Sequence, residues 1–271
     1  MSFVPSRSLI FVAVICLTAS AIVAASDEPK LTKEEIKQFL LTANVVSSKR
    51  ASKGITSPWR LTLSDAKVTH DAAFQTVEEH KTNVPGPGGV ELLFVDSYKY
   101  NIAAYILAEL VGLDDMVPVT VERKWQGHSG SLSWWVPAKM DEADRRARHI
   151  TPPDADKWNK QMFKMLLLNQ LVYDTDPNLT NVLIEENWKV WRIDFTRAFR
   201  LHKEIQNPKE LVRCGRQLFE RLKKLDSAEL EQKIRPYLTK SEVQALIARR
   251  EKIVAHFEKL IAAKGEAEVL Y

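Results

Sequence analysis

The stretch DTDPNLTNVLIEENWKVWRIDFTRAF, residues 174–199, decides which fold the chain is expected to adopt. It holds two short apolar runs, NVLI and WKVWRID, joined by a polar turn at residues 185–187. Two such runs on either side of a turn predict a β-hairpin. Asp176 and Asn181 come just before its first strand and Asp194 just after its second. We therefore expect these three side chains to converge at one end of the hairpin.

Three converging oxygen-bearing side chains are the groups that phosphoryl transfer needs. An acceptor hydroxyl requires a carboxylate that orients it, and two oxygen ligands are needed to hold Mg²⁺ against the phosphates. The ordinary alternative is structural, because Asp and Asn are common turn residues that bond their own backbone. In that case Asp194 pairs with Arg192 or Arg197 at the end of the strand.

The chain before residue 80 carries signals for a helix and a hairpin. Thr32 with Glu35 is a capping box, which predicts a short amphipathic helix within residues 32–46. β-branched and aromatic residues at near-alternate positions then predict a hairpin whose turn lies around Asp65 and Lys67.

One long helix and two more strands are expected between residues 85 and 137. PGPGG at residues 85–89 is expected to break the chain as a flexible connection, not a phosphate loop. Apolar residues at helical spacing over residues 97–113 predict the helix. Two strand-like runs flank a turn at residues 127–130.

The apolar spacing becomes helical from Asp154 onward. Capping boxes, Asp226 with Glu229 and Thr239 with Glu242, introduce the last two helices. Cys214 lies inside the helical pattern over residues 210–225, so we expect a packed thiol and not a nucleophile. Beyond the helix that begins near Asp154, the predicted helices cover residues 210–225, 227–238 and 240–263.

These patterns predict an α+β chain with two lobes. We expect an N-terminal sheet-rich lobe over residues 26–137, a linker over residues 138–153, and a helical C-terminal lobe over residues 154–271. Residues 1–25 are expected to be a cleaved signal peptide.

The expected signal peptide has one basic residue, Arg7, followed by an apolar stretch over residues 9–24 and small residues before a cleavage point after Ala25. The alternative is an uncleaved anchor, because a membrane-spanning helix needs roughly 20 apolar residues. Cleavage predicts a secreted or extracytoplasmic protein, in a periplasm or a secretory lumen, with no membrane span left.

Composition excludes several other classes of function. Loss of Arg7 lowers the formal net charge from +4 to +3, which is too little to imply nucleic acid binding. The histidines show no metal-ligand spacing, so a zinc site has no support. Tryptophans suggest either a sugar-binding platform or core packing. They are Trp125, Trp134, Trp135, Trp188 and Trp191.

The order of a sheet lobe with one helix, a linker, a helical lobe, D-x-x-x-x-N, a hairpin and D-F-x resembles the protein-kinase-like fold. The atypical branches are more similar: the HipA-like kinases, the secretory-pathway Golgi kinases and the phosphatidylinositol 3/4-kinase-like group. GSLSWWV, residues 130–136, resembles a strand that those branches carry near the nucleotide. The resemblance spans residues 50–200. It implies a catalytic role for Asp176 and metal binding by Asn181 and Asp194.

Two departures from the kinase pattern concern the nucleotide phosphates. By the resemblance, position 75 should be a lysine and position 101 its glutamate partner, but the chain has Gln75 and Asn101. Glutamine lacks the point charge of lysine, so the usual phosphate clamp is missing. Either Lys67, Lys81 or Lys99 replaces it, or the protein is a pseudokinase. DFT at residues 194–196 and the missing His-Arg before Asp176 are lesser departures.

The resemblance implies an exported kinase that binds ATP with Mg²⁺ or Mn²⁺ and phosphorylates an unidentified protein, lipid or sugar. The alternative is a catalytically impaired pseudokinase that acts as a protein-binding module. Gln75 and Asn101 favour the module, whereas Asp176, Asn181 and Asp194 favour the enzyme.

Overall fold

The structure describes residues 31–51, 58–86, 89–176 and 178–271, which form an α+β arrangement with most strands in the first half and most helices in the second. The structure is a computed structural model, in which Thr32–Tyr271 form one compact unit. The leader predicted over residues 1–25 lies outside the described residues. In chain order the elements are α1 (Lys33–Thr42), β1 (Asn44–Arg50), β2 (Trp59–Ser64), β3 (Thr69–Gln75), β4 (Glu78–Gly86), β5 (Gly89–Ser97), α2 (Lys99–Val111), β6 (Thr120–Trp125), β7 (His128–Trp134), β8 (Met140–Asp141), α3 (Glu142–Ala147), α4 (Ala155–Val172), β9 (Val182–Ile184), β10 (Val190–Arg192), α5 (Arg216–Lys224), α6 (Ser227–Ile234), α7 (Lys240–Lys264) and α8 (Glu266–Val269).

An antiparallel five-stranded sheet, in the order β1-β2-β3-β7-β6, forms the N-terminal lobe. The predicted β2–β3 hairpin is confirmed, and its turn is fixed by the Asp65 carboxylate, which accepts the backbone N–H groups of Lys67 and Val68 at 2.7 Å. The β6–β7 hairpin is also confirmed. Its turn uses Gly127 at a φ of 83°, a left-handed conformation that favours glycine.

The two faces of the sheet carry different structures, because successive residues of a strand point to opposite faces. Helix α1 covers the outer face, where Arg123 donates to the carbonyls of Leu40 and Ala43 at 2.7 Å each. The opposite face carries Gln75, which is paired in register with Ser131. This inner face therefore looks toward α2 and the helical lobe.

Helix α2 is the long helix predicted for the sheet lobe. It ends at Gly112, whose φ of 75° is the left-handed conformation that stops many helices. It contacts β6 and β7 on one side and α5 and α6 on the other. Because α2 is buried between them, it joins the sheet to the helical lobe.

Helix α1 lies within the predicted range of residues 32–46 and ends at Thr42, and the β-branched pair Val45–Val46 belongs to edge strand β1. The break predicted at residues 85–89 includes residues 87–88, which lie outside the described residues. Pro85–Gly86 and Gly89 belong to the ends of β4 and β5, which pair as an antiparallel ribbon that the sequence patterns do not predict. Charged residues on this ribbon interrupt the alternation of apolar and polar residues by which strands are recognised in a sequence.

The region predicted as a linker contains regular structure. Strand β8 pairs with β9 in a three-stranded sheet, in the order β10-β9-β8, and α3 follows β8 directly. The boundaries of the predicted lobes stay a prediction. Within the described ranges, none of the helices combines the length and apolar character that crossing a membrane requires.

The helical lobe follows the predicted helices with two corrections. Thr239 and Glu242 form the predicted capping box, but Asp226 caps α6 through the N–H of Ala228 without a reciprocal bond from Glu229. Cys214 is buried as expected, but it precedes α5 instead of lying within it, in a bridge to Leu270.

Candidate active site

The hairpin predicted from NVLI and WKVWRID is present and brings the backbones of the candidate residues together. β9 and β10 pair antiparallel, with Val190 opposite Ile184. A 3₁₀ turn, Leu179–Asn181, leads into β9, and the N–H of Ile193 donates to the carbonyl of Asn181 at 3.0 Å. This bond sets the Asn181 backbone beside the residue that precedes Asp194.

A single guanidinium contacts the backbone of all three candidate residues. Arg192, the last residue of β10, donates to the carbonyls of Asp176 at 3.3 Å, Asn181 at 3.5 Å and Asp194 at 3.4 Å. Its carboxylate partner is Asp174, which lies two residues before Asp176. The backbones of the three candidate residues therefore meet around Arg192, and the convergence of their side chains stays a prediction.

The ion pair between Arg192 and Asp174 is buried, with each side chain 1% exposed. Removing one partner of a buried pair typically costs about 3–5 kcal/mol because it leaves an uncompensated charge. The same pair argues against an ion pair between Arg192 and Asp194, which was one of the structural alternatives. Arg192 binds the Asp174 carboxylate and reaches only the backbone of Asp194.

Asp194 has a backbone conformation that is uncommon for its residue type. Its φ is 60°, in the left-handed region. The carboxylate Oδ1 accepts the Thr196 hydroxyl at 3.1 Å and the Gln75 side-chain amide at 3.5 Å. Non-glycine residues with positive φ often occur at functional sites, where the surroundings hold them in place.

Gln75 and Asn101, the positions expected for the lysine and glutamate, form an amide pair. Asn101 Nδ2 donates to Gln75 Oε1 at 2.6 Å and to Ser131 Oγ at 3.1 Å. Asn101 Oδ1 accepts the backbone N–H of Phe195 at 2.7 Å. The pair thus links α2 and the sheet to the segment that carries Asp194, without a formal charge.

Asp176 and Asn181 bond to other described residues only through their backbone groups. Burial raises the pKa of Asp176, Arg197 opposes the rise, and the negative charges of Asp174 and Asp194 add to it. A raised pKa moves a carboxyl toward the range in which it accepts a proton efficiently.

A fourth carboxylate, Asp96 on β5, lies near Asp194. Burial raises its pKa, and the charge of Asp194 contributes to the rise. Its Oδ1 atom is buried without a hydrogen-bond partner among the described residues.

The donor set fits Mg²⁺ bound together with a nucleotide and does not form an all-protein metal site. No group of three or more His, Cys, Asp or Glu side chains in the described part of the chain is arranged to hold a metal. Mg²⁺ in nucleotide sites commonly takes one or two protein ligands and fills its shell with phosphates and water. Asn181 and Asp194 can supply that number.

A cavity of about 180 Å³ lies at the end of β3 and is lined by Trp59, Phe74, Gln75 and Glu79, among others. Typical small-molecule sites enclose about 300–1,000 Å³. The cavity is therefore too small to hold a whole nucleotide. Trp59 and Phe74 lie on the outer side of the sheet, as the register shows.

Asp174 has no role in the sequence prediction, and Arg192 enters it only as a possible partner of the Asp194 carboxylate. The available signal was their spacing, because each precedes a candidate aspartate by two residues. The tryptophans favour core packing over a platform: Trp125 lies edge-on to Trp59 at 5.4 Å, and Trp188 lies edge-on to Trp158 at 6.0 Å.

The sheet lobe with one internal helix, the helical lobe and the hairpin between the candidate residues define an atypical kinase-like fold. Similar solved structures include hydra Fam20 with sugar, with a TM-score of 0.64 and 14% identity, covering 88% of this chain and 91% of that one. The Golgi casein kinase, also solved with Mn/ADP bound, gives a TM-score of 0.62 and 13% identity over 88% of this chain and 77–78% of that one.

The Helicobacter pylori proinflammatory kinase CtkA is more distant, with a TM-score of 0.50 and 11% identity over 83% of this chain and 98% of that one. No family model matches the chain, and no curated protein matches it. At these identities the likeness is one of fold.

Proposed function

We propose that the protein is a kinase that transfers the terminal phosphoryl group of ATP to a hydroxyl of an acceptor. The observation that carries the proposal is the meeting of Asp176, Asn181 and Asp194 around Arg192 in a kinase-like fold. The Golgi casein kinase solved with Mn/ADP supports nucleotide and metal as ligands.

In the proposed reaction Asp176 accepts the proton of the acceptor hydroxyl. The oxygen forms a bond to the terminal phosphorus, the bond from that phosphorus to the bridging oxygen breaks, and ADP leaves. Asn181 and Asp194 would hold Mg²⁺ or Mn²⁺, and the bound ion would neutralise charge on the phosphates. Arg192 fixes the three backbones, so the groups are oriented before substrate binds.

We also propose an extracytoplasmic location, in a secretory lumen or a periplasm. The expected leader supports it, and so does the fold likeness to a kinase of the Golgi. The acceptor is a protein, lipid or sugar hydroxyl.

The second candidate is a pseudokinase that binds a protein partner. The Gln75–Asn101 pair favours it, because a neutral amide replaces the cation that normally contacts the phosphates.

Calorimetric titration of the protein with ATP, with and without Mg²⁺ or Mn²⁺, distinguishes the two candidates. For the kinase we expect metal-dependent binding that Asp194→Asn greatly weakens. Asn tolerates the left-handed backbone at this position, so the change tests the carboxylate alone. Asp176→Asn should leave binding nearly intact and lower transfer about 10²-fold or more.

Asp154→Asn is a matched control, because Asp154 caps α4 away from these residues and Asn caps helices equally well. Absence of binding at millimolar ATP in the wild-type protein contradicts the kinase and leaves the pseudokinase.

A further inference from the structure

The Gln75–Asn101 pair raises the question of which cation contacts the phosphates in the proposed kinase. The three lysines considered from the sequence lie elsewhere. Lys67 is exposed in the β2–β3 turn. Lys81 pairs with Glu79 at 2.6 Å, and Lys99 approaches Glu78 at 3.5 Å.

Arg192 is close to the candidate residues but is unsuited to bind a ligand. Its guanidinium is 1% exposed and is already bound to Asp174 and to backbone carbonyls. A phosphate could reach it only by breaking these bonds.

Arg197 follows Asp194 by three positions and is half-buried. A turn closed by the Ala198 N–H on the Phe195 carbonyl folds this segment back. The Arg197 carbonyl then accepts the hydroxyl of Thr175 at 2.9 Å. Because Thr175 immediately precedes Asp176, the bond places the Arg197 backbone beside the proposed catalytic loop.

The Arg197 side chain is supported by the β4–β5 ribbon. Its guanidinium lies over the ring of Phe94, 5.1 Å from the centroid. Arginine stacked on an aromatic ring keeps its charge and its planar set of donors. Burial raises the pKa of both Asp176 and Asp96, and the positive charge of Arg197 opposes both rises. The charge of Arg197 is therefore near enough to both carboxylates to favour their ionised forms.

We propose that Arg197 is the phosphate-binding cation of this protein and that it contacts the terminal phosphate oxygens of the bound nucleotide. This inference rests on the proposed nucleotide binding and deepens it. A guanidinium matches phosphate oxygens with two parallel hydrogen bonds, which a lysine cannot supply. The charge missing at position 75 then comes from the segment that follows Asp194.

Three variants test the assignment in titrations with Mg-ATP and with AMP. Arg197→Gln should weaken Mg-ATP binding by about 10-fold or more, the scale of losing hydrogen bonds to a charged group. AMP affinity should stay unchanged, because AMP lacks the terminal phosphates. Arg197→Lys should recover part of the loss. Arg213→Gln is the matched control, since Arg213 is also half-buried and lies over a ring, 5.6 Å from the centroid of Tyr271.

Wild-type affinity for Mg-ATP in Arg197→Gln overturns the inference and leaves the proposed function standing. Equal losses for ATP and AMP, with a lowered melting temperature, also overturn it, because they mean that Arg197 only supports the fold. A wild-type protein that binds neither nucleotide removes the proposed function, and the inference with it.

Discussion

At the scale of single residues, Arg192 and Asp174 matter because their charges are buried and shared with the backbone of the site. A buried pair of this kind is costly to break and contributes orientation more than net stability. Its role at the site is therefore separable from its effect on folding.

Arg192→Lys should retain the charge beside Asp174 but lose contacts to the carbonyls of Asp176, Asn181 and Asp194, because an ammonium lacks the planar fork. We expect a folded protein that needs a higher Mg²⁺ concentration for nucleotide binding. Titrating Mg²⁺ at fixed ATP measures the shift. Arg250→Lys, at a half-buried arginine of α7, is the control, and an equal Mg²⁺ requirement in the two variants would contradict the positioning role.

Asp176→Asn should stabilise the protein at neutral pH. Burial raises the pKa of Asp176 above its unfolded value of about 3.9, so the folded state binds more protons between the two values and stability falls as pH rises through that window. The amide in the Asp176→Asn variant does not ionise, so the stability of the variant does not fall over that pH window. Thermal unfolding of both proteins at several pH values should give a higher midpoint for the variant at pH 7 and a difference that shrinks below about pH 4. A difference in melting temperature that stays constant across pH would contradict a raised pKa for Asp176.

At the scale of elements, sequence was sufficient where the signal is local. The spacing of apolar residues in α2, and the two runs around the turn of β9 and β10, depend only on neighbours along the chain. The β4–β5 ribbon lacks such a signal, because its charged residues do not alternate with apolar ones. No local pattern marks Arg192 as buried, since its burial depends on Asp174, eighteen positions earlier.

The segment between the Pro208–Glu210 turn and α5 gives a second test at this scale. Burial raises the pKa of the Cys214 thiol to about 12, and the side chain is 1% exposed. The thiolate is the reactive form, so Cys214 should resist thiol reagents at pH 8 in the folded protein and react fully in denaturant. A colorimetric thiol assay measures both. Fast reaction in the native state would show that this segment opens or is packed differently.

At the scale of the whole molecule, α2 links the lobes by a buried hydrogen bond. The Tyr100 hydroxyl donates to Glu242, which belongs to the capping box at the start of α7. Tyr105, one turn further along α2, donates to Glu109 of the same helix at 2.9 Å. The two tyrosines can therefore be compared directly, because the Tyr100 hydrogen bond joins the two lobes and the Tyr105 hydrogen bond stays within α2.

Tyr100→Phe should lower the free energy of unfolding by about 1–3 kcal/mol, because buried Glu242 loses a partner that water cannot replace. Tyr105→Phe should cost less, since Glu109 is 27% exposed and can bind water. Urea unfolding followed by circular dichroism gives both values. The reverse order of costs would mean that the link between lobes contributes little.

The amide pair between Gln75 and Asn101 also constrains how this protein can change by mutation. Gln75→Lys alone removes one of the two acceptors of Asn101 Nδ2, and Asn101→Glu alone places a carboxylate beside the Gln75 carbonyl oxygen. Each single step passes through a poorly matched intermediate, whereas the double change restores a charged pair. We therefore expect the two positions to be epistatic, so that the double change costs less than the sum of the two single changes.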